Sequence, residues 1–218
     1  MSKILIKIGI KSKNALKERL NSKIKNKVLE DYLKLIKQNK NKLIIENKKD
    51  IKAAERKKLK ENFIKRLSLN DQKINSIIKS IKTISKFKDP VDFELDRWKR
   101  PNGLEIKKVT IPFGVIGVIY ESRPNVTADV STLCFKSGNS VILRGGTEAY
   151  FSNKILANLF RKALQKNKIN KNFVQFIDNK NRKLVDFMLS KMPNYIDLII
   201  PRGGKNLVKK VQNLSSVP

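Results

Sequence analysis

The chain has 218 residues, 40% of them hydrophobic, and no apolar run approaching the roughly 20 residues that span a bilayer. It carries no histidine and one cysteine, which excludes imidazole-activated nucleophiles in cis, imidazole zinc ligands and an internal disulfide framework. The formal charge is +30, mostly lysine scattered among asparagine and isoleucine, which reads first as solvated helix surface, then as attraction of anionic small molecules, and last as a nucleic-acid footprint.

The N-terminal MSKILIKIGIKSK has a short alternating apolar pattern without the apolar core or cleavage site of a secretory signal, so a soluble cytoplasmic protein is expected. From residue 12 to about 88 the pattern predicts helices. Val28, Leu29, Tyr32, Leu33, Leu35 and Ile36 form one apolar stripe, and Ile74, Ile77, Ile78, Ile81 and Ile84 form another after a start signal at Ser68–Asp71. Asp89-Pro90 ends the helical part, because the residue before proline avoids helical torsions.

After Pro90 the texture changes. FELDRWKRPNGLEIKKVTIPFG alternates apolar and polar residues around Asn102-Gly103, a strong hairpin signal. GVIGVIY is a continuous apolar run of the kind covered on both faces. The order then alternates: strand 115–120, helix about 125–137, strand 140–143, helix about 150–166, strand 173–177, helix 181–191, strand 196–200, helix from 204. Such a series predicts a parallel sheet with helices on its faces, and ligands at the carboxyl ends of its strands.

Three turns at those ends carry an arginine: Glu121-Ser122-Arg123-Pro124-Asn125, Arg144-Gly145-Gly146-Thr147-Glu148 and Pro201-Arg202-Gly203-Gly204. Glycine lets main-chain N–H groups approach phosphate oxygens, and arginine supplies a charged fork. The plainer alternative is three glycine turns with surface arginines. No GxGxxG fingerprint is present. Cys134 sits in VSTLCFKSG on an apolar helix and reads as a buried small hydrophobe rather than a reactive thiolate.

Taken together, IPFGVIGVIYESRPNVTADVSTLCFKSGNSVILRGGTEAYFSN, YIDLIIPRGGKNLVKKVQNLSSVP, ENKKDI and RPNGLEI resemble gamma-glutamyl phosphate reductase (glutamate-5-semialdehyde dehydrogenase), a branch of the aldehyde dehydrogenase superfamily. The resemblance runs from about Ile10 to Pro218. It implies an α/β fold with three parts: a helical lead-in over 1–90, a β-hairpin arm over 91–112, and a Rossmann-like dinucleotide-binding domain over 113–218, cut before the catalytic domain. It also implies NADPH-dependent reduction of L-glutamyl 5-phosphate to the semialdehyde through a cysteine thiolate that lies beyond Pro218, without a metal. Further implications are homo-oligomerisation when complete and no nucleic-acid or membrane partner.

By the same resemblance, Arg144, Gly145, Gly146, Glu148, Arg202, Gly203 and Gly204 bind NADPH or NADP. Arg123 and Asn125 bind substrate phosphate or an oxyanion. No catalytic nucleophile is expected among these residues. The rival readings are a non-catalytic interaction protein or fragment of this fold, and a basic nucleic-acid-binding protein.

Overall fold

Among the described residues five helices precede the first strand: α1 (Ser2–Ala15), α2 (Ser22–Gln38), α3 (Lys40–Arg56), α4 (Glu61–Leu67) and α5 (Asp71–Ser85). The computed structural model describes residues 2–218, with side-chain surroundings from Lys3 onward. Helix begins well before residue 12. Leu5, Gly9, Ser12 and Ala15 recur at three- and four-residue spacing and are all buried, so the early pattern that looked alternating is carried by one helical face. Asn21 and Asn70 cap α2 and α5, their side-chain oxygens accepting the N–H of Ile24 at 3.0 Å and of Lys73 at 2.9 Å.

The hairpin follows as β1 (Glu94–Lys99) and β2 (Glu105–Val109), joined antiparallel with a bulge between Glu94 and Asp96. Gly103 takes φ +87° in the turn, a torsion that favours glycine. The arm is exposed throughout β1, with Leu95 and Trp98 open to solvent. Its base is pinned by Asp89, which pairs at 2.9 Å with the fully buried Lys25 of α2.

The α/β part comprises β3 (Val115–Tyr120), α6 (Asn125–Lys136), β4 (Ser140–Gly145), α7 (Tyr150–Lys166), β5 (Val174–Phe176), α8 (Lys183–Ser190), β6 (Leu198–Arg202) and α9 (Lys205–Leu214). The sheet is wholly parallel in the order β5-β4-β3-β6. Strand β5 is shorter than the 173–177 expected, because residues 171–173 form a 3₁₀ turn. Strands β4 and β6 each run two residues further than expected, so Arg144, Gly145, Pro201 and Arg202 are strand rather than turn.

Alternation along β3 sorts the core. Ile116, Val118 and Tyr120 face α6 and α7, where Tyr32 of α2 packs on Phe160 at 4.6 Å between ring centres. Val115 and Ile119 face α8 and Leu5 of α1. Each such fully buried side chain stabilises the fold by roughly 1.5–3 kcal/mol. The helical lead-in therefore serves both faces of the sheet. Asp50 of α3 ties the layers by accepting the N–H groups of Phe151 and Ser152 at the start of α7, at 3.1 and 2.9 Å. Burial raises its carboxyl pKa, with the bonds from Ser152 pulling the other way. Among the described residues no helix is long and apolar enough to cross a membrane.

Candidate functional site

Strands β4 and β5 lie to one side of β3 and β6 to the other. The chain winds outward from β3 through β4 to β5 and then crosses back to β6 on the far side of β3, and this reversal opens a crevice at the carboxyl edge, the usual place for a ligand in such sheets. Three adjoining cavities occupy it. One of about 350 Å³ is lined by Arg144–Glu148, Arg182 and Lys210. A second, about 380 Å³, is lined by Glu121, Ser122, Arg123 and Arg202–Gly204. They share Phe63, Glu121 and Ser122. A third, about 490 Å³, is lined by Asn125 and Asp129 and shares Arg66 and Arg123 with the second. All three arginine-bearing segments thus meet in one groove.

Arg144 is 5% exposed and is held inside the protein rather than presented on a turn. Its Nη1 donates to the carbonyl of Gly145, and Nη2 donates to those of Lys180 and Asn181 at 3.4 and 3.3 Å. Burial lowers its pKa, while Glu148 opposes that. The fork expected to grip phosphate is therefore largely engaged with main-chain oxygens, tying β4 to the loop after β5. Its Nε–H is buried without a partner among the described residues. Gly145 is needed for packing: a Cβ there would lie 2.2 Å from Asn153 Nδ2.

Glu148 lies in a 3₁₀ turn after Gly146, where its Oε1 accepts from Thr147 Oγ1 at 2.9 Å and faces Arg182 at 3.8 Å. Arg202, Gly203 and Gly204 are exposed at the end of β6 and the start of α9. The Glu121 carboxylate sits against them, Oε2 accepting the Gly204 N–H at 3.1 Å. A Cβ on Gly203 would lie 2.7 Å from the Glu121 carboxyl carbon, so glycine permits this approach. An anion thus already lies at this helix start, where free amides and the dipole favour one.

Arg123 is exposed and Asn125 half-buried at the start of α6. Asn125 Nδ2 donates to Asp129 Oδ2 at 3.1 Å, and Ser80 Oγ of α5 donates to Asp129 Oδ1 at 2.8 Å. Below them runs a buried chain: Tyr120 hydroxyl to Thr127 Oγ1 at 2.6 Å, and Thr127 to Asn153 Oδ1 at 2.9 Å. This chain locks α6 against β3 and α7. Cys134 lies further along α6, 6% exposed, with its thiol pushed up to about 12 by burial.

Phe63 and Arg66 on the seven-residue α4, together with Glu121, Asp129, Arg182 and Lys210, line the groove without having been singled out in the sequence. Glu121 and Asp129 flank selected residues closely enough that charge at a strand end and an i, i+4 carboxylate were usable signals. Phe63 and Arg66 reach the site only through tertiary packing.

A dinucleotide diphosphate fits this donor set. Besides the buried Arg144, the groove offers four further arginines, Arg66, Arg123, Arg182 and Arg202, and the close-approach glycines. No family model matches the chain. It is 43% identical over 218 residues, its whole length, to the gamma-glutamyl phosphate reductase of Nautilia profundicola, of which it covers 52%. The solved gamma-glutamyl phosphate reductase of Thermotoga maritima is 37% identical with a TM-score of 0.95, over 98% of this chain and 52% of that one. An acetylating aldehyde dehydrogenase from Geobacillus thermoglucosidasius shares the fold at 14% identity and a TM-score of 0.76, over 100% of this chain and 45% of that one. The chain spans about half the length of the curated relatives it matches.

Proposed function

We propose that this chain, a relative of the gamma-glutamyl phosphate reductases along its whole length, binds the nucleotide and orients the substrate in NADP-dependent reduction of L-glutamyl 5-phosphate to L-glutamate 5-semialdehyde and phosphate. The observation that carries the reading is the groove at the switch point of the sheet, where Arg123, Glu148, Arg202 and their glycines adjoin on a fold shared with those reductases.

Bound NADPH would supply hydride. The residues here supply position and charge. Arg182 and Lys210 flank the outer cavity and are free of the main-chain bonds that occupy Arg144, so they serve the nucleotide phosphates. Arg202 and the glycines after it serve the diphosphate once Glu121 gives way. Arg123 neutralises the acyl phosphate at the border of the inner cavities. Asn125 keeps one amide N–H on Asp129, and its second is available to an oxyanion. The exposed apolar residues of the β1–β2 arm support self-association.

The test is a chimera in which these 218 residues replace the matching part of the Nautilia profundicola reductase. Phosphate-dependent oxidation of glutamate semialdehyde with NADP is the expected result. A folded chimera that binds NADP yet turns over no glutamate semialdehyde would overturn the substrate assignment.

A further inference from the structure

The third cavity has a charge layout that the nucleotide does not explain. It lies between α4, α5 and the start of α6, and its volume of about 490 Å³ is within the roughly 300–1,000 Å³ of small-molecule sites. Arg66, Lys73 and Arg123 line it, and none of them pairs with a carboxylate among the described residues. In a chain with 49 basic and 19 acidic residues, unpaired surface cations are common. Three on one cavity, with a single facing carboxylate, make a more specific arrangement.

Lys73 is held in place, its ammonium donating to the Ser68 carbonyl at 2.7 Å and to that of Lys65. Asp129 is held equally well by Ser80 and Asn125, one bond to each oxygen, and each oxygen keeps acceptor capacity. Leu69 and Ile77 add apolar lining for a short methylene chain.

Resting on the reductase reading above, we propose that this cavity selects the α-amino acid end of the substrate, with Asp129 taking the α-ammonium and Arg66 and Lys73 taking the α-carboxylate. The layout then complements the ligand group by group. One acceptor meets one ammonium, two cations meet one carboxylate, and Arg123, which borders both inner cavities, is left for the acyl phosphate. A glutaryl analogue without the ammonium leaves the Asp129 carboxylate opposite nothing, which is how a site rejects a near-isostere.

The test uses the 218-residue chain and three probes: L-glutamate, glutarate, and γ-aminobutyrate, which lacks the α-carboxylate. Binding is followed by heteronuclear NMR, with NADP titrated in parallel. L-glutamate is expected to perturb amides around Asp129 and to bind more tightly than either analogue. Asp129→Asn should weaken glutamate about tenfold, the loss of one charge-assisted contact, and leave glutarate unweakened. Lys73→Met should weaken glutamate and glutarate alike.

NADP affinity should stay within about twofold in both variants, since neither residue lines the two cavities assigned to the nucleotide. A folded Asp129→Asn that keeps the wild-type preference for glutamate over glutarate would overturn the proposal, as would wild-type chain that binds NADP but shifts no amide with glutamate. Loss of NADP binding with glutamate selectivity intact would count against the nucleotide reading instead.

Discussion

The Glu121 carboxylate accepts the Gly204 N–H at 3.1 Å and so lies on the first turn of α9. Free helix-start amides and the helix dipole favour an anion there, and a side chain of this protein provides it. Any diphosphate entering that corner competes with Glu121. Asparagine would shorten the side chain, but glutamine keeps its reach and removes its charge. Glu121→Gln is therefore expected to tighten NADP binding about three- to tenfold, by relieving like-charge repulsion. Fluorescence titration with NADPH measures it, and weaker binding would show that the carboxylate holds a nucleotide hydroxyl.

Two arginines that look alike in sequence should part company. Arg144 is buried and bonded to three carbonyls, whereas Arg202 is exposed at a strand end. Arg144→Met removes one donor from each of those carbonyls and should cost about 2–3 kcal/mol in urea unfolding. Arg202→Ala should cost less than about 0.5 kcal/mol of stability while weakening NADP by about 1–3 kcal/mol. Equal stability losses in the two variants would contradict their different environments.

Cys134 gives a pH signature. Its thiol pKa rises from 9.0 to about 12 because burial penalises the thiolate. A group whose pKa is raised on folding contributes stability that is present below the unfolded pKa and lost as pH climbs through the folded one. The stability difference between wild type and Cys134→Ala should thus be flat below about pH 8.5 and shrink across pH 9–12. Native-state alkylation at pH 8 should be slow and should accelerate in denaturant. Rapid labelling of folded protein would show an accessible thiolate.

Much of this was readable in the chain itself. The isoleucine stripe of α5 and the unbroken run of β3 are burial patterns, set by local periodicity, and they placed the helices and the parallel strands. The strand ends were harder. Arg144 looked like a turn residue because charge rarely ends a buried strand, and only the carbonyls of residues 180 and 181, brought close by the fold, explain it. The same limit hid Arg66, whose helix shows no feature until the fold sets it across a shared cavity from the α6 start. Asp129 was the near miss: its i, i+4 offset from Asn125 puts both on one helix face, which the sequence alone displays.

Reduction of an acyl phosphate through a thioester needs a thiolate beside the substrate. Cys134 is the sole thiol, buried on α6 among apolar neighbours, and the chain has no histidine to deprotonate it. The groove at the carboxyl edge of the sheet and the charged cavity beside it are nevertheless formed by these residues. The purified chain should therefore bind NADP and show no phosphate-dependent oxidation of glutamate semialdehyde above a blank. Mass spectrometry after incubation with the aldehyde and NADP should find Cys134 unmodified. Turnover that survives removal of host enzyme, or an acyl group on Cys134, would mean that α6 opens and that the buried thiol is a working nucleophile.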